Sequence, residues 1–254
     1  MNDYPPASSS MPEPVPPQQA VRVSLPEAAP YVTYAIIGIT VLFYLLQVIT
    51  SSFLHVDLPA LFFIKANHLI RAGQLWRLLT PALLHGSIMH IGFNMYALFS
   101  VGTGLERYYG RRRYLLLYIL GAFSGNVLSF LFTTSPSLGA STAIFGLIGA
   151  EGIFLLQNRK LFAGQFNSAI GNIIFVVAIN LFVIGSLPGI DNFGHIGGLL
   201  GGLMFSWFAG PLWDVEEIYP AFQFVDKRPT REIMIGAALV VLVFGGLAVW
   251  GILM

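Results

Sequence analysis

Apolar stretches long enough to cross a lipid bilayer recur along this chain, and they narrow its possible folds more than any motif does. A helix needs roughly 17–25 mostly apolar residues to span the hydrocarbon core. Such stretches lie near residues 32–51, 88–106, 114–134, 141–157, 168–187, 193–210 and 232–253. The second and sixth carry polar interruptions, so their assignment also leans on the pattern of helix starts described below. With 56% hydrophobic and 10% charged residues, water would not support the chain as a soluble domain. The expected fold class is all-α, a polytopic membrane helix bundle of seven spans.

Charge and cysteine content remove further classes. A formal net charge of +1 leaves no basic surface for nucleic acid, and the absence of cysteine excludes disulfides, thiol nucleophiles and cysteine-ligated metals. Residues 1–30 are rich in Pro, Ser and Gln; such a segment cannot bury enough apolar surface to offset its ordering entropy and is expected to be a disordered tail. It does not read as a signal peptide, because no basic start leads at once into an apolar core. A helical core over 31–210, a connector of mixed charge and aromatics over 211–231 and a last helix over 232–254 complete the expected organisation.

Lys and Arg orient such a bundle. With the tail cytoplasmic, Arg22, Arg107, Arg111, Arg112, Arg113, Arg159, Lys160, Lys227, Arg228 and Arg231 lie inside, against Lys65, Arg71 and Arg77 outside. The C-terminus is then external. The long external segment 52–87 carries Phe62, Phe63 and Trp76, residues suited to the headgroup layer.

Polar side chains inside spans are costly, so information concentrates there. They are His85, His90 and Asn94 around the second span, Asn126 in the third, Ser141 and Glu151 in the fourth, Asn180 in the fifth and His195 in the sixth. The second, fourth and sixth spans all run from outside to inside. His90, Asn94, Ser141 and His195 therefore share one depth, and His90 and Asn94 share a helix face. A serine and a histidine at equal depth, each at a helix start, are the parts of a nucleophile and its base. The second histidine and the asparagine would donate to the oxyanion of an acyl transfer, with help from backbone N–H groups at a helix N-terminus. Asp191 lies in the loop before the sixth span and Glu151 is about 15 Å deeper than Ser141 along its helix, so the expected unit is a dyad.

Competing readings attach to each residue. Ser141, between Gly139, Ala140, Ala143 and Gly146, also reads as a packing or capping serine. His195, His90 and Asn94 read alternatively as interhelical hydrogen bonders, and His85 sits at the membrane edge. As a metal site His85 and His90 are poorly spaced, about 140° apart around a helix, and H-E-x-x-H is absent. No Asp falls inside a span, which removes a paired-aspartate mechanism. Nor is there a G-x-S-x-G elbow, since Ala143 stands at its second glycine.

Taken together, four segments resemble the rhomboid intramembrane serine proteases: Trp76-Arg77, His85 to Asn94 (HGSIMHIGFN), Gly139-Ala140-Ser141, and His195 to Gly202 within GHIGGLLGG. They fall in that family's order and spacing and cover roughly residues 32–210. The resemblance implies a core of six transmembrane helices plus a seventh C-terminal one, with Ser141 as nucleophile, His195 as general base, and His90, Asn94 and the Ser141 N–H as oxyanion hole. It gives supporting places to His85, Gly139, Gly198, Gly202, Trp76 and Arg77. It further implies no cofactor and single-span membrane proteins as substrates cut near the external boundary; compact loops and the lack of a transit-peptide pattern lead to the expectation of a bacterial-type plasma membrane as the setting. A non-catalytic relative that binds transmembrane segments would have lost Ser or His. A small-molecule transporter would need ionisable residues along a path, and only Glu151 hints at one.

Two further expectations follow. Gly194, Gly198 and Gly202 repeat along one face of the sixth span, beside Gly197 and Gly201, so another backbone can approach closely; the helix of Ser141 is the expected partner. The loop Pro188 to Asn192 and the upper fifth span are candidates for a substrate gate. Thr142 departs from the family, which usually has glycine after the nucleophile; a β-branched residue there would disturb the site if positive φ were required.

Overall fold

The computed structural model describes residues 29–162, 164–218 and 221–254; the expectations for the tail at 1–28 lie outside them. The first helix, α1 (Tyr31–Leu54), starts directly after Pro30. Its free N–H groups find a buried carboxylate: Glu106 accepts from Val32 N–H at 2.9 Å, Thr33 N–H at 2.7 Å and the Thr33 hydroxyl at 2.8 Å. An anion at a helix N-terminus is favoured by the helix dipole as well as by the hydrogen bonds.

The segment after α1 is folded on itself. Two short helices, α2 (Leu58–Phe63) and α3 (Asn67–Arg71), lead into two 3₁₀ turns at Leu75–Leu78 and Thr80–Leu83. Arg77, 2% exposed, fastens them by donating to the carbonyls of Ile64 and Leu61, both at 2.7 Å, and to the Gln74 amide oxygen at 2.8 Å. Trp76 donates its indole N–H to the Phe62 carbonyl at 3.0 Å. These two residues therefore act within the segment itself.

The bundle proper comprises α4 (Ile88–Tyr109), α5 (Arg111–Phe132), α6 (Ser141–Gln157), α7 (Phe166–Ala178), α8 (Asn192–Ala209) and α9 (Thr230–Leu253). A π-helical stretch at Ile179–Val183 and a 3₁₀ turn at Ile184–Ser186 prolong α7. Four helices, α1, α5, α7 with its extension and α9, are long and apolar enough to cross a membrane by themselves. The 17-residue α6 is shorter, and packed neighbours enclose it. Leu117, Leu120, Ala143, Leu147, Ala150 and Phe205 belong to the buried core, which lies among α5, α6 and α8.

The connector at 211–231 carries a two-stranded ribbon. Strands β1 (Trp213–Ile218) and β2 (Ala221–Asp226) pair antiparallel, with Trp213 opposite Asp226 and Val215 opposite Phe224; this is the one sheet among the described residues. Alternation explains it: Trp213 and Val215 fall on one face, Asp214 and Glu216 on the other. Trp213 meets the Phe224 ring edge-on at 6.5 Å. Arg113 to Asp226 at 2.8 Å and Arg228 to the Gly210 carbonyl at 2.7 Å attach the ribbon to the bundle.

Candidate active site

The approach to α6 is a short segment fixed by hydrogen bonds. Lys65 and Ser137 exchange backbone bonds at 3.1 and 3.2 Å, and Gly139 N–H donates to the Pro81 carbonyl at 2.9 Å. Gly139 has φ +132°, a conformation that L side chains rarely adopt. Next, Ala140 N–H donates to Nε2 of His85 at 3.4 Å, so His85 carries its proton on Nδ1. Burial, reinforced by the neighbouring His90, draws the His85 imidazole down to about 3. It stays neutral and can keep accepting.

Ser141 then opens α6, and as a first helical residue it has a backbone N–H without intrahelical partner. The cap before it, Ala140, has no polar side chain to bond the first turn. Ser141 Oγ lies 3.0 Å from Nε2 of His195.

His195 sits in the first turn of α8, whose N-cap is Asp191, accepting from Gly194 N–H at 3.0 Å. Phe145, one turn below Ser141, stacks flat on the imidazole with ring centres 4.3 Å apart and planes 5° apart. The buried Nδ1 of His195 has no hydrogen-bond partner, and Asp191 directs its oxygens to Ser129, Thr133 and Gly194 instead. No carboxylate thus orients the imidazole; the flat contact with Phe145 and its own helix do.

What brings α6 and α8 together is the glycine face. A Cβ at Gly198 would overlap the Thr142 carbonyl oxygen, and one at Gly202 would overlap the Gly146 carbonyl oxygen. The Gly197 and Gly201 face meets Ser124 of α5 in the same way. Backbone-to-backbone approach of this kind needs small residues at the crossing. Thr142 has an ordinary helical backbone. Gly125 and Gly194 make room for it: Cβ atoms there would come within 2.6 Å of Thr142 Cβ and 3.1 Å of its methyl.

Ser87 caps α4, accepting from His90 N–H at 3.1 Å. The His90 ring borders Gly139, where an added Cβ would fall 2.9 Å from His90 Nε2 and 3.6 Å from Ser141 Oγ. Glycine at 139 thus leaves open the space between the two side chains. Asn94, one turn on and buried, donates to the His90 carbonyl at 2.9 Å. The 140° separation expected of His85 and His90 does not hold, because His85 precedes the helix; their rings meet edge-on at 4.9 Å. Among the described residues no three His, Asp or Glu side chains cluster as metal ligands.

Other polar positions turn inward to their own helices. Asn126 donates to the Ala122 carbonyl at 2.9 Å and Asn180 to the Val176 carbonyl at 2.8 Å. Sequence reasoning passed over Phe145, Ser129 and the burial of Lys65. Phe145 had one usable signal, its i+4 spacing from Ser141.

Fold and site together define a polytopic membrane helix bundle with a serine and a histidine paired across two helix N-termini at one end. The rhomboid domain matches residues 72–212, and the chain belongs to the rhomboid family. It is 44% identical over 173 residues to rhomboid protease GluP of Bacillus subtilis (strain 168), covering 68% of this chain and 34% of that protein. Similarity extends to two Arabidopsis thaliana proteins. RHOMBOID-like protein 1 is 40% identical over 145 residues, 57% of this chain and 37% of the relative. RHOMBOID-like protein 6, mitochondrial, is 42% identical over 134 residues, 52% and 43%. The chain thus spans less than half the length of these relatives.

Proposed function

We propose that this chain is an intramembrane serine endopeptidase that cleaves transmembrane segments of membrane proteins by a Ser141–His195 dyad. The observation that carries the reading is the 3.0 Å contact between Ser141 Oγ and His195 Nε2 at the starts of α6 and α8, in a family that includes a named protease. His195 Nε2 removes the hydroxyl proton as Ser141 Oγ attacks the scissile carbonyl carbon. The negative oxygen that develops is held by the Ser141 N–H and by the side chains of His90 and Asn94, the latter turning from the His90 carbonyl. Protonated His195 then gives its proton to the leaving amine as the C–N bond breaks, leaving an ester on Ser141. Water attacks the ester, His195 takes its proton, and the acid departs as the serine is restored.

The proposed orientation puts the N-terminus in the cytoplasm and the C-terminus outside, in a bacterial-type plasma membrane. Supporting it, all three cations of the proposed external side serve the fold: Lys65 and Arg77 bond carbonyls, and Arg71 donates to the Gly251 carbonyl at 3.3 Å. Arg111, Arg112 and Arg113 begin α5 at the opposite end. The substrates proposed are single-span membrane proteins, for which α7 is the element free to move aside.

The test is incubation of the purified protein in lipid vesicles with a single-span reporter, alongside Ser141→Ala and His195→Ala. Cleavage by the wild type alone is expected. A reporter that all three bind and none cleaves would replace this reading with a non-catalytic one.

A further inference from the structure

Beside the dyad lies a buried set of polar groups that the chemistry above does not use. Ser129, near the end of α5, is fully buried. Its hydroxyl donates to the Asp191 carboxylate and lies 3.1 Å from the Ser137 hydroxyl. A hydroxyl has one proton; with that of Ser129 committed to Asp191, Ser137 must donate to Ser129. Thr133 adds a second hydroxyl to Asp191 at 2.9 Å.

The positions of the two ends are informative. Ser137 stands four residues before Ser141, and Asp191 four before His195. Asp191 also holds the first turn of α8 through Gly194 N–H at 3.0 Å, and its carbonyl accepts from His195 N–H at 3.2 Å. The chain Ser137, Ser129, Asp191 therefore links the approach to the nucleophile directly to the cap of the helix that carries the base.

Lys65 closes the set. It is fully buried, and its three N–H donors meet three carbonyls: Thr133 and Ser135 at 2.8 Å and Ser129 at 3.3 Å. These carbonyls lie at the end of α5 and the start of the segment leading to Ser141, that of Ser129 also accepting from Thr133 N–H, and a cation there suits the helix dipole. Burial lowers the Lys65 ammonium to about 8, with the Asp191 carboxylate pulling it back up. Burial opposes the charge on Asp191 too, but hydrogen bonds, among them those from Ser129, Gly194 N–H and Thr133, outweigh it and leave that carboxyl below its ordinary value. Both groups are thus charged at neutral pH.

We propose that Ser137, Ser129 and Asp191, anchored by Lys65, form a polar bracket that fixes the spacing of the α6 and α8 starts and so holds Ser141 against His195. Its members are positioning residues, and the inference rests on the dyad reading above. A bracket of hydrogen bonds resists sliding along the helix axes, which the smooth glycine seam alone does not.

Ser129→Ala removes the middle link while leaving Lys65, Thr133 and Gly194 in place. Expected are a fall of about tenfold in kcat and in acylation by a fluorophosphonate, with KM within twofold, and rescue by Ser129→Thr. Amide hydrogen exchange at residues 192–196 should speed up about tenfold, a readout that needs no catalysis. Unchanged exchange there, or a lowered melting temperature with kcat and acylation intact, overturns the bracket. Should Ser129→Ala fail to insert, Ser137→Ala cuts only the outer link and is read by the same measures. A wild type that neither cleaves nor is acylated overturns the protease reading, and exchange still decides the bracket.

Discussion

Helices α6 and α7 follow one another in the chain and are both strongly apolar, yet they pack in opposite ways. Twelve of the 17 residues of α6 are buried, whereas none of α7 is. Ile174 and Phe175 of α7 and Phe182 of its extension are each more than 60% exposed. The difference lies in side-chain size at the crossing points. In α6, Gly146 and Gly149 would bring an added Cβ within 3.0 Å of Gly121 and of the Leu199 carbonyl. Gly171 of α7 has nothing within 4 Å of such a Cβ. Hydropathy puts both helices in the bilayer; small residues at the right spacing decide which one becomes scaffold. The proposed chemistry sits on the scaffold, and the loose helix beside it offers lipid or substrate an apolar face.

The comparison can be broken most forcefully at the dyad. Ser141→Ala and His195→Ala should each lower reporter cleavage by about 10⁴-fold, and the double variant should be little worse, because two groups acting as one unit are not additive. A double variant that loses the product of the two single losses would separate them into independent roles. A middle-sized effect is expected from Phe145→Ala, which removes the ring stacked on His195 at 4.3 Å. About a tenfold loss in kcat with little change in KM is expected, and Phe145→Tyr should restore most of it. An equal loss in the tyrosine variant would mean that the flat ring contact is not what matters.

A smaller effect belongs to His85. Its imidazole lies well below the ordinary histidine value in the folded chain, at about 3, through burial first and His90 second. The unfolded chain therefore binds a proton between about pH 6.5 and 3 that the folded one refuses, and stability falls as pH drops through that window. Thermal unfolding followed against pH should show this slope, flattened in His85→Gln, whose amide oxygen can still accept from Ala140 N–H. An unchanged slope in the variant would place the titration elsewhere. The smallest effect is expected on the loose side: Phe175→Ala should leave fluorophosphonate acylation within twofold. A tenfold loss there would mean that α7 also sets the dyad geometry.

Much of the site can be read from the chain. Ser141, His195 and the His90/Asn94 face stand out because a bilayer makes polar residues conspicuous and helix parity sets their depth. The glycine repeat of α8 pointed to a close partner, and the structure supplies α6 on one face and α5 on the other. Other features escape for physical reasons. Phe145 reads as ordinary core, since its stacking depends on the angle at which α6 and α8 cross. Lys65 counts as a surface cation in any charge tally, although a cage of carbonyls buries it. The angle between His85 and His90 escapes because a helical wheel applies only to residues in one helix, and His85 precedes the cap at Ser87. The β1–β2 ribbon hides because its alternation in β1 runs only from Trp213 to Glu216 before Glu217 breaks it, too short a pattern to mark a strand.

The central claim is that the α6–α8 glycine seam brings a serine and a histidine into a reactive pair. The rate at which a fluorophosphonate acylates Ser141, located by mass spectrometry and compared between wild type and Gly198→Leu at equal membrane insertion, tests it most directly. A fall of about 100-fold or more in the leucine variant is the expected result. Equal rates in the two proteins would contradict the claim.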